Sequence, residues 1–314
     1  PKDKPMTVNC SVFFDAANGE RKVLASRDLG FPATEWYSLV VNMNDCAGTT
    51  GTLSISSAVC QDLPYYLFFS HAAYRERTPE AYNILLISLD GTRADHLSCY
   101  GYDRPTSLWI DKAAGEGVRF ERCNAQAPWA LPSLCAMLTG EFPSVLWADQ
   151  ALAEPERKVC RAAPTLARML SAQGYHTAAI AAGGPTAPDW GLYGGFDMYR
   201  VVDRPRLEST CRYATGWLRE HVRDKFFLFV QSNEVDAPYR EPFFAPRSPT
   251  PVERALAGYD SDVVCVDWMV GMLLAELKRL GMEDSTLVVI TSAYGQDFNQ
   301  LSSWPDDPDG CFGG

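Results

Sequence analysis

The run "NILLISL", Asn83 to Leu89, closed by Asp90, constrains this chain more than any other stretch. A strand that is apolar on both sides of its pleat, without polar alternation, is covered on both faces, as in a parallel sheet sandwiched between helices. The same texture returns behind amphipathic segments. "TLARMLSAQG" leads into "YHTAAIAA", "STCRYATGWLREHV" into "KFFLFVQS", and "VERALAGYDSDVVCVDWMVGMLLAELKRLG" into "STLVVITS". "PTSLWIDKAAGEG" reads as a further helix, with Pro near its start and Gly at its stop. Repeated helix–strand alternation predicts an α/β fold with a doubly wound, mostly parallel sheet. Its functional site is expected at the carboxyl ends of the strands.

The first eighty residues have a different texture. "TVNCSVFF", "WYSLVVNM" and "GTLSISSAV" are short β-rich runs separated by the turn-forming "AANGE" and "NDCAGTTG". Residues 1–80 are therefore expected to form a small β-sandwich and residues 81–314 the α/β domain, with "HAAYRERTPEA" as connector. The chain opens "PKDKPMTVNC" without an initiator Met or a signal-peptide core, which reads as a processed or excised piece.

A net charge of -11 argues against nucleic acid or an anionic membrane as partner, because both need a basic face. A bound cation or local basic cluster still leaves room for an anionic ligand. No apolar run is long enough to span a bilayer. The 10 cysteines include no C-x-x-C pair, which argues against zinc-ribbon and thioredoxin-like arrangements; pairing among Cys10, Cys46 and Cys60 stays open.

Five ordered segments carry chemistry. They are "NILLISLDGTRADHLSCYGYDRPTSLWIDKAAGEGVRFERCNAQAPWALPS" with "MLTGEFPS", "GGFDMYR", "FFLFVQSNEVDAPYREPF", "YDSDVVCVDWMVGMLLAEL" and "STLVVITSAYGQDF". In this order they resemble the sulfatases of the alkaline phosphatase superfamily, bacterial type with an N-terminal β-sandwich. The resemblance implies a sulfuric ester hydrolase fold and export to the periplasm or cell exterior. It also implies calcium (or magnesium) held by oxygen ligands, a nucleophile at a helix N-terminus, and basic residues for the transition-state oxygens.

Position by position, the resemblance implies a degenerate site. Asp90 matches the first metal ligand, while Gly91 stands where many members carry a second Asp. Ala130 falls on the nucleophile, which a methyl group cannot replace, and Leu134 falls on the motif's Arg. Ser133 and Cys135 are the nearest hydroxyl and thiol, read here as a helix cap and a core residue. Ala293 and Tyr294 occupy two lost ligand positions, and the Tyr294 ring is suited to fill the vacated space. Asp236 stands at the position of a substrate-contacting His and Glu234 at that of an Asp, with Asp297 where relatives show Glu. None of His71, His96, His176 and His221 matches a catalytic position, so all four are expected to be packed or surface residues.

The expectation is a sulfatase-like protein that is catalytically impaired, needs no cofactor, and keeps its scaffold for binding or structure. A sulfated or other anionic small molecule or glycan is the expected partner. The alternative is an active sulfate or phosphate ester hydrolase with a metal site rebuilt around Asp90, Glu234, Asp236 and Asp297. Family members continue into a C-terminal sub-domain, which is expected to be missing from this chain.

Overall fold

The structure is a computed structural model; it describes residues 7–30, 41, 43–46, 48–59, 81–146, 164–187, 191–202, 207–243 and 249–298. The chain divides into two compact units, Pro1–Ala72 and Ala73–Gly314.

In the first unit, β1 (Thr7–Ala16), β2 (Arg21–Gly30) and β3 (Gly51–Val59) form one antiparallel sheet in the order β2-β1-β3. β1 lies in the middle because it alone carries an unbroken apolar face: Cys10, Val12 and Phe14 are buried at every second position. A register shift between Val12 and Phe13 marks a bulge against β2. The sequence reading missed β2, whose "RKVLASRDLG" alternates charge with small residues. "WYSLVVNM" lies largely outside the described residues. Where a β-sandwich was expected, the described residues form this single three-stranded antiparallel sheet. Cys10 and Cys46 are both free thiols, and Cys60 lies outside the described residues.

In the second unit, β4 (Asn83–Leu89), β5 (His176–Ala181), β6 (Met198–Val201), β7 (Phe226–Ser232) and β8 (Thr286–Thr291) form one sheet in the order β6-β5-β7-β4-β8. Every ladder in it is parallel. Around it lie α1 (Leu108–Glu116), α2 (Ala130–Thr139), the single turn α3 (Pro143–Leu146), α4 (Leu166–Ala172), α5 (Leu207–Glu220) and α6 (Pro251–Arg279). The wholly buried strands feed two cores, which is why they read as unbroken apolar runs. Leu85, Ile87 and Leu89 of β4 join Phe226, Leu228 and Val230 of β7 in a cluster with Trp217 of α5 and Val263, Val266, Met269 and Val270 of α6. The alternate residues Leu86, Phe227 and Phe229 meet Leu134 and Leu138 of α2 and Ala167 of α4 on the other face.

Helix starts are fixed by side chains. α6 begins with Thr250 and Glu253 bonding each other's backbone N–H, ahead of Pro251 in the first turn. The N-terminus of α1 is capped from α6: Asp267 Oδ1 accepts N–H bonds from Trp109 at 3.0 Å and Ile110 at 2.8 Å. Burial nevertheless pushes the Asp267 carboxyl up to about 6. Among the described residues, no helix is long and apolar enough to cross a membrane.

Candidate functional site

Asp90 follows β4 directly, and its N–H donates to Ser232 O at the end of neighbouring β7 (2.8 Å). Its side chain is fully buried. Both carboxylate oxygens are engaged by protein donors. Oδ1 accepts from Ser88 Oγ at 2.5 Å and from the Ala293 N–H at 3.2 Å; Oδ2 accepts from Gln231 Nε2 at 2.8 Å. Gln231 is itself held by the Ala182 N–H, which donates to its Oε1 at 2.8 Å. Desolvation raises the Asp90 pKa to about 6, against these three bonds, which favour the ionised form; the nearby Asp236 charge adds to the rise.

The turn after Asp90 is zipped onto the loop after β8. Gly91 N–H donates to Tyr294 O at 3.1 Å, and Gln296 N–H returns a bond to Gly91 O at 3.1 Å. The buried Tyr259 hydroxyl donates to Gly91 O at 2.9 Å and accepts from the Arg93 N–H at 2.8 Å. Gly91 has φ +84°, and a Cβ there would stand 3.0 Å from Asp236 Oδ1. The local backbone thus favours glycine where an additional Asp was looked for.

Tyr294 donates its hydroxyl to Asp236 Oδ1 at 2.5 Å, and its ring packs on the apolar cluster that holds Ala130, Leu134 and Ala293. Desolvation raises the Asp236 pKa, opposed by this bond. Ala130, the expected nucleophile position, is the first residue of α2 and puts a methyl group at that helix N-terminus. Leu134 is 0% exposed, enclosed by apolar side chains. Cys135 is equally buried in that cluster. Ser133 corrects an expectation: the helix begins three residues earlier, and Ser133 Oγ instead donates to Ala127 O (2.8 Å) and accepts from Ala127 N–H (3.1 Å).

The other acidic candidates are drawn elsewhere. Glu234 Oε2 accepts from Arg240 Nη2 at 3.1 Å, and Arg240 also pairs with Asp262. Desolvation raises the Glu234 pKa, with the Arg240 charge opposing it. Asp297 lies within electrostatic reach of Arg93. Among the described residues, no three of Asp90, Glu234, Asp236 and Asp297 place ligand oxygens within 4.8 Å of one another. At the two expected ligand positions beside Asp90, Ala293 has no side-chain oxygen and the Tyr294 hydroxyl donates to Asp236 Oδ1. Three buried oxygens nearby in the chain, Thr92 Oγ1, Asn233 Oδ1 and Glu234 Oε1, have no hydrogen-bond partner.

His96 is a structural histidine: Nδ1 meets Asp260 Oδ1 at 2.8 Å, and Asp260 also accepts from Tyr102 and Arg104. A hollow of about 470 Å³ lined by Cys99, Asp111, Ala114, Gly115 and Arg119 shares no residue with the Asp90 cluster. Sequence reasoning missed Ser88, Gln231 and Tyr259. The signal for the first two was present, since each is a polar residue inside an otherwise apolar buried strand.

The family model described as Sulfatase matches residues 82–301. Steryl-sulfatase of Mus musculus is 23% identical over 338 aligned residues, covering 71% of this chain and 52% of that protein. The ulvan-active sulfatase of Formosa agariphila is 22% identical over 275 residues, covering 69% and 51% respectively. The chain therefore spans about half the length of these relatives. The solved structure of Ps i-CgsB in complex with k-i-k-neocarrahexaose superposes with a TM-score of 0.57 at 21% identity, over 74% of this chain and 63% of that one. At such identity the structural likeness speaks for the fold. The family match, by contrast, runs from the strand that delivers Asp90 through the loop that holds Tyr294, and on that match the chain belongs to the sulfatase family.

Proposed function

We propose that this chain is a catalytically impaired member of its family, a scaffold kept for binding rather than hydrolysis. One observation carries the reading: the reactive positions are occupied by methyl groups in an apolar cluster, while the remaining carboxylate is consumed by protein donors. Ala130 and Ala293 share that cluster with Leu134, and Asp90 is saturated by Ser88, Gln231 and the Ala293 N–H. No group at the head of α2 attacks sulfur, and no cofactor is expected at Asp90.

The ligand class we propose is a sulfated or otherwise anionic glycan. Support comes from the relatives, one named for ulvan and one solved with a neocarrahexaose. Two carboxylates without a cation repel a sulfate, so such a ligand would be held away from Asp90 and Asp236. Export is proposed on the family resemblance.

A second reading, a hydrolase with a rebuilt oxygen-ligand site, is favoured by the unpartnered Thr92 Oγ1, Asn233 Oδ1 and Glu234 Oε1, since buried oxygens in want of a partner are what a hard cation binds. Turnover of an aryl sulfate and an aryl phosphate in millimolar calcium decides between the two. The impaired reading expects rates equal to those of the Asp90→Asn variant and of buffer. Turnover that the wild type shows and Asp90→Asn loses establishes the rebuilt hydrolase.

A further inference from the structure

A cluster far from Asp90 in the topology carries its own chemistry. His176 opens β5, His221 follows the last residue of α5, and Asp224 lies in the turn that leads from α5 to β7. All three lie at the amino-terminal edge of the parallel sheet, whereas Asp90 lies at the carboxyl edge. The turn is tied to the sheet by the backbone: His176 N–H donates to Lys225 O at 2.8 Å, and Asp224 N–H to His221 O at 3.0 Å. One ligand atom from each of the three side chains lies within 4.8 Å of the others.

We infer that His176, His221 and Asp224 form a binding site for one divalent transition-metal ion of the zinc class. Two imidazoles and a carboxylate suit borderline metals such as zinc, cobalt or nickel and are a poor match for calcium or magnesium. His221 is prepared for the task. Its Nδ1 lies 2.9 Å from Trp217 O, and a carbonyl only accepts, so Nδ1 is a donor there and Nε2 is the ring nitrogen left for a metal. A backbone carbonyl that fixes the tautomer in this way is the usual support of a metal-binding histidine. The ring is also clamped by Trp217, stacked at 4.0 Å between centroids and 15° between planes.

The His176 and His221 rings stand 5.8 Å apart between centroids. Tetrahedral zinc with bonds of about 2.0 Å sets its ligand atoms about 3.3 Å apart, so loading draws the three groups inward. His176 and Asp224 are half-buried, while the buried His221 provides the fixed anchor. Three protein ligands leave a fourth position for water. The ion would pin the start of β5 to the turn that precedes β7.

The test is a titration of the purified protein with cobalt(II) and then zinc(II), read by visible absorption, with affinities measured by calorimetry. One equivalent of cobalt should bind with d–d bands and without the near-ultraviolet band of a thiolate ligand, and zinc should displace it. Because His221 is buried beneath Trp217, the variants are His176→Ala and Asp224→Ala, their folding checked by circular dichroism. Each should weaken zinc by about tenfold or more, while Asp90→Asn leaves it unchanged. Saturating zinc at a hundredfold excess over its Kd should also raise the Tm by about 5 °C. Absence of saturable binding, a thiolate band, or an affinity that either variant leaves intact would overturn the assignment.

Discussion

Leu134→Arg should unfold the α/β domain or come close to it. Leu134 is 0% exposed, and its neighbours in the cluster are Ala130, Cys135, Leu138, Phe227 and Phe229. A guanidinium placed there would lose its hydration without gaining a carboxylate, a penalty of about 4 kcal/mol or more in addition to overpacking. The urea midpoint measures it, with Leu134→Met as a volume-matched control expected to cost less than about 1.5 kcal/mol. Arg is the residue type that the family resemblance implies at this position, so the result bears on the proposed function. A Leu134→Arg protein as stable as wild type would show that this position still opens on a polar pocket, against the packed apolar cluster described above.

The second large effect is a dependence of stability on pH set by Asp90. Its carboxyl is raised from an unfolded value near 3.8 to about 6 in the folded protein. Between those values the folded state holds more protons than the unfolded one, so stability falls as pH rises through this window. The stabilisation is complete below pH 3.8 and gone above pH 6. Two pH units correspond to about 3 kcal/mol. Asp90→Asn removes the titration. Its stability relative to wild type should improve by about 2–3 kcal/mol between pH 4 and pH 7.5, or several degrees in Tm. Asp267, also raised to about 6, titrates in the same window, so the difference between the two proteins, rather than either curve alone, isolates Asp90. A difference that is flat with pH would mean that folding leaves the Asp90 carboxyl unshifted, and one that moves toward wild type as pH rises would mean its ionised form is stabilised, as by a bound cation.

What could be read from the residues follows a physical division. β4 and β7 were legible because burial on both faces leaves an unbroken apolar run, and α6 because its capping residues and apolar period coincide. β2 was not, since a strand at the edge of a small sheet keeps charges at "RKVLASRDLG", and β6 spans only the 4 residues "MYRV". In the site, the motif order placed Asp90 after β4 and Ala130 just ahead of a helix read as starting at Ser133, whereas α2 begins at Ala130 itself. It did not place the bond from Tyr294 to Asp236, which joins residues 58 apart and depends on how two loops meet. Ser88 and Gln231 stood out as polar residues in buried strands, but the bond from Gln231 to Asp90 was out of reach, because it depends on β7 pairing with β4. His176 and His221 were expected to be packed or surface side chains; His221 and Asp224 share one turn, and His176 reaches them only when β5 and β7 pair.

Calcium titration by calorimetry tests the central claim most directly, because an oxygen-ligated ion is what the family chemistry at Asp90 would require and what the His176 cluster would refuse. The account predicts no saturable calcium heat in the wild-type protein and an identical trace for Asp90→Asn. One equivalent of calcium bound at micromolar affinity, and lost on Asp90→Asn, would contradict it.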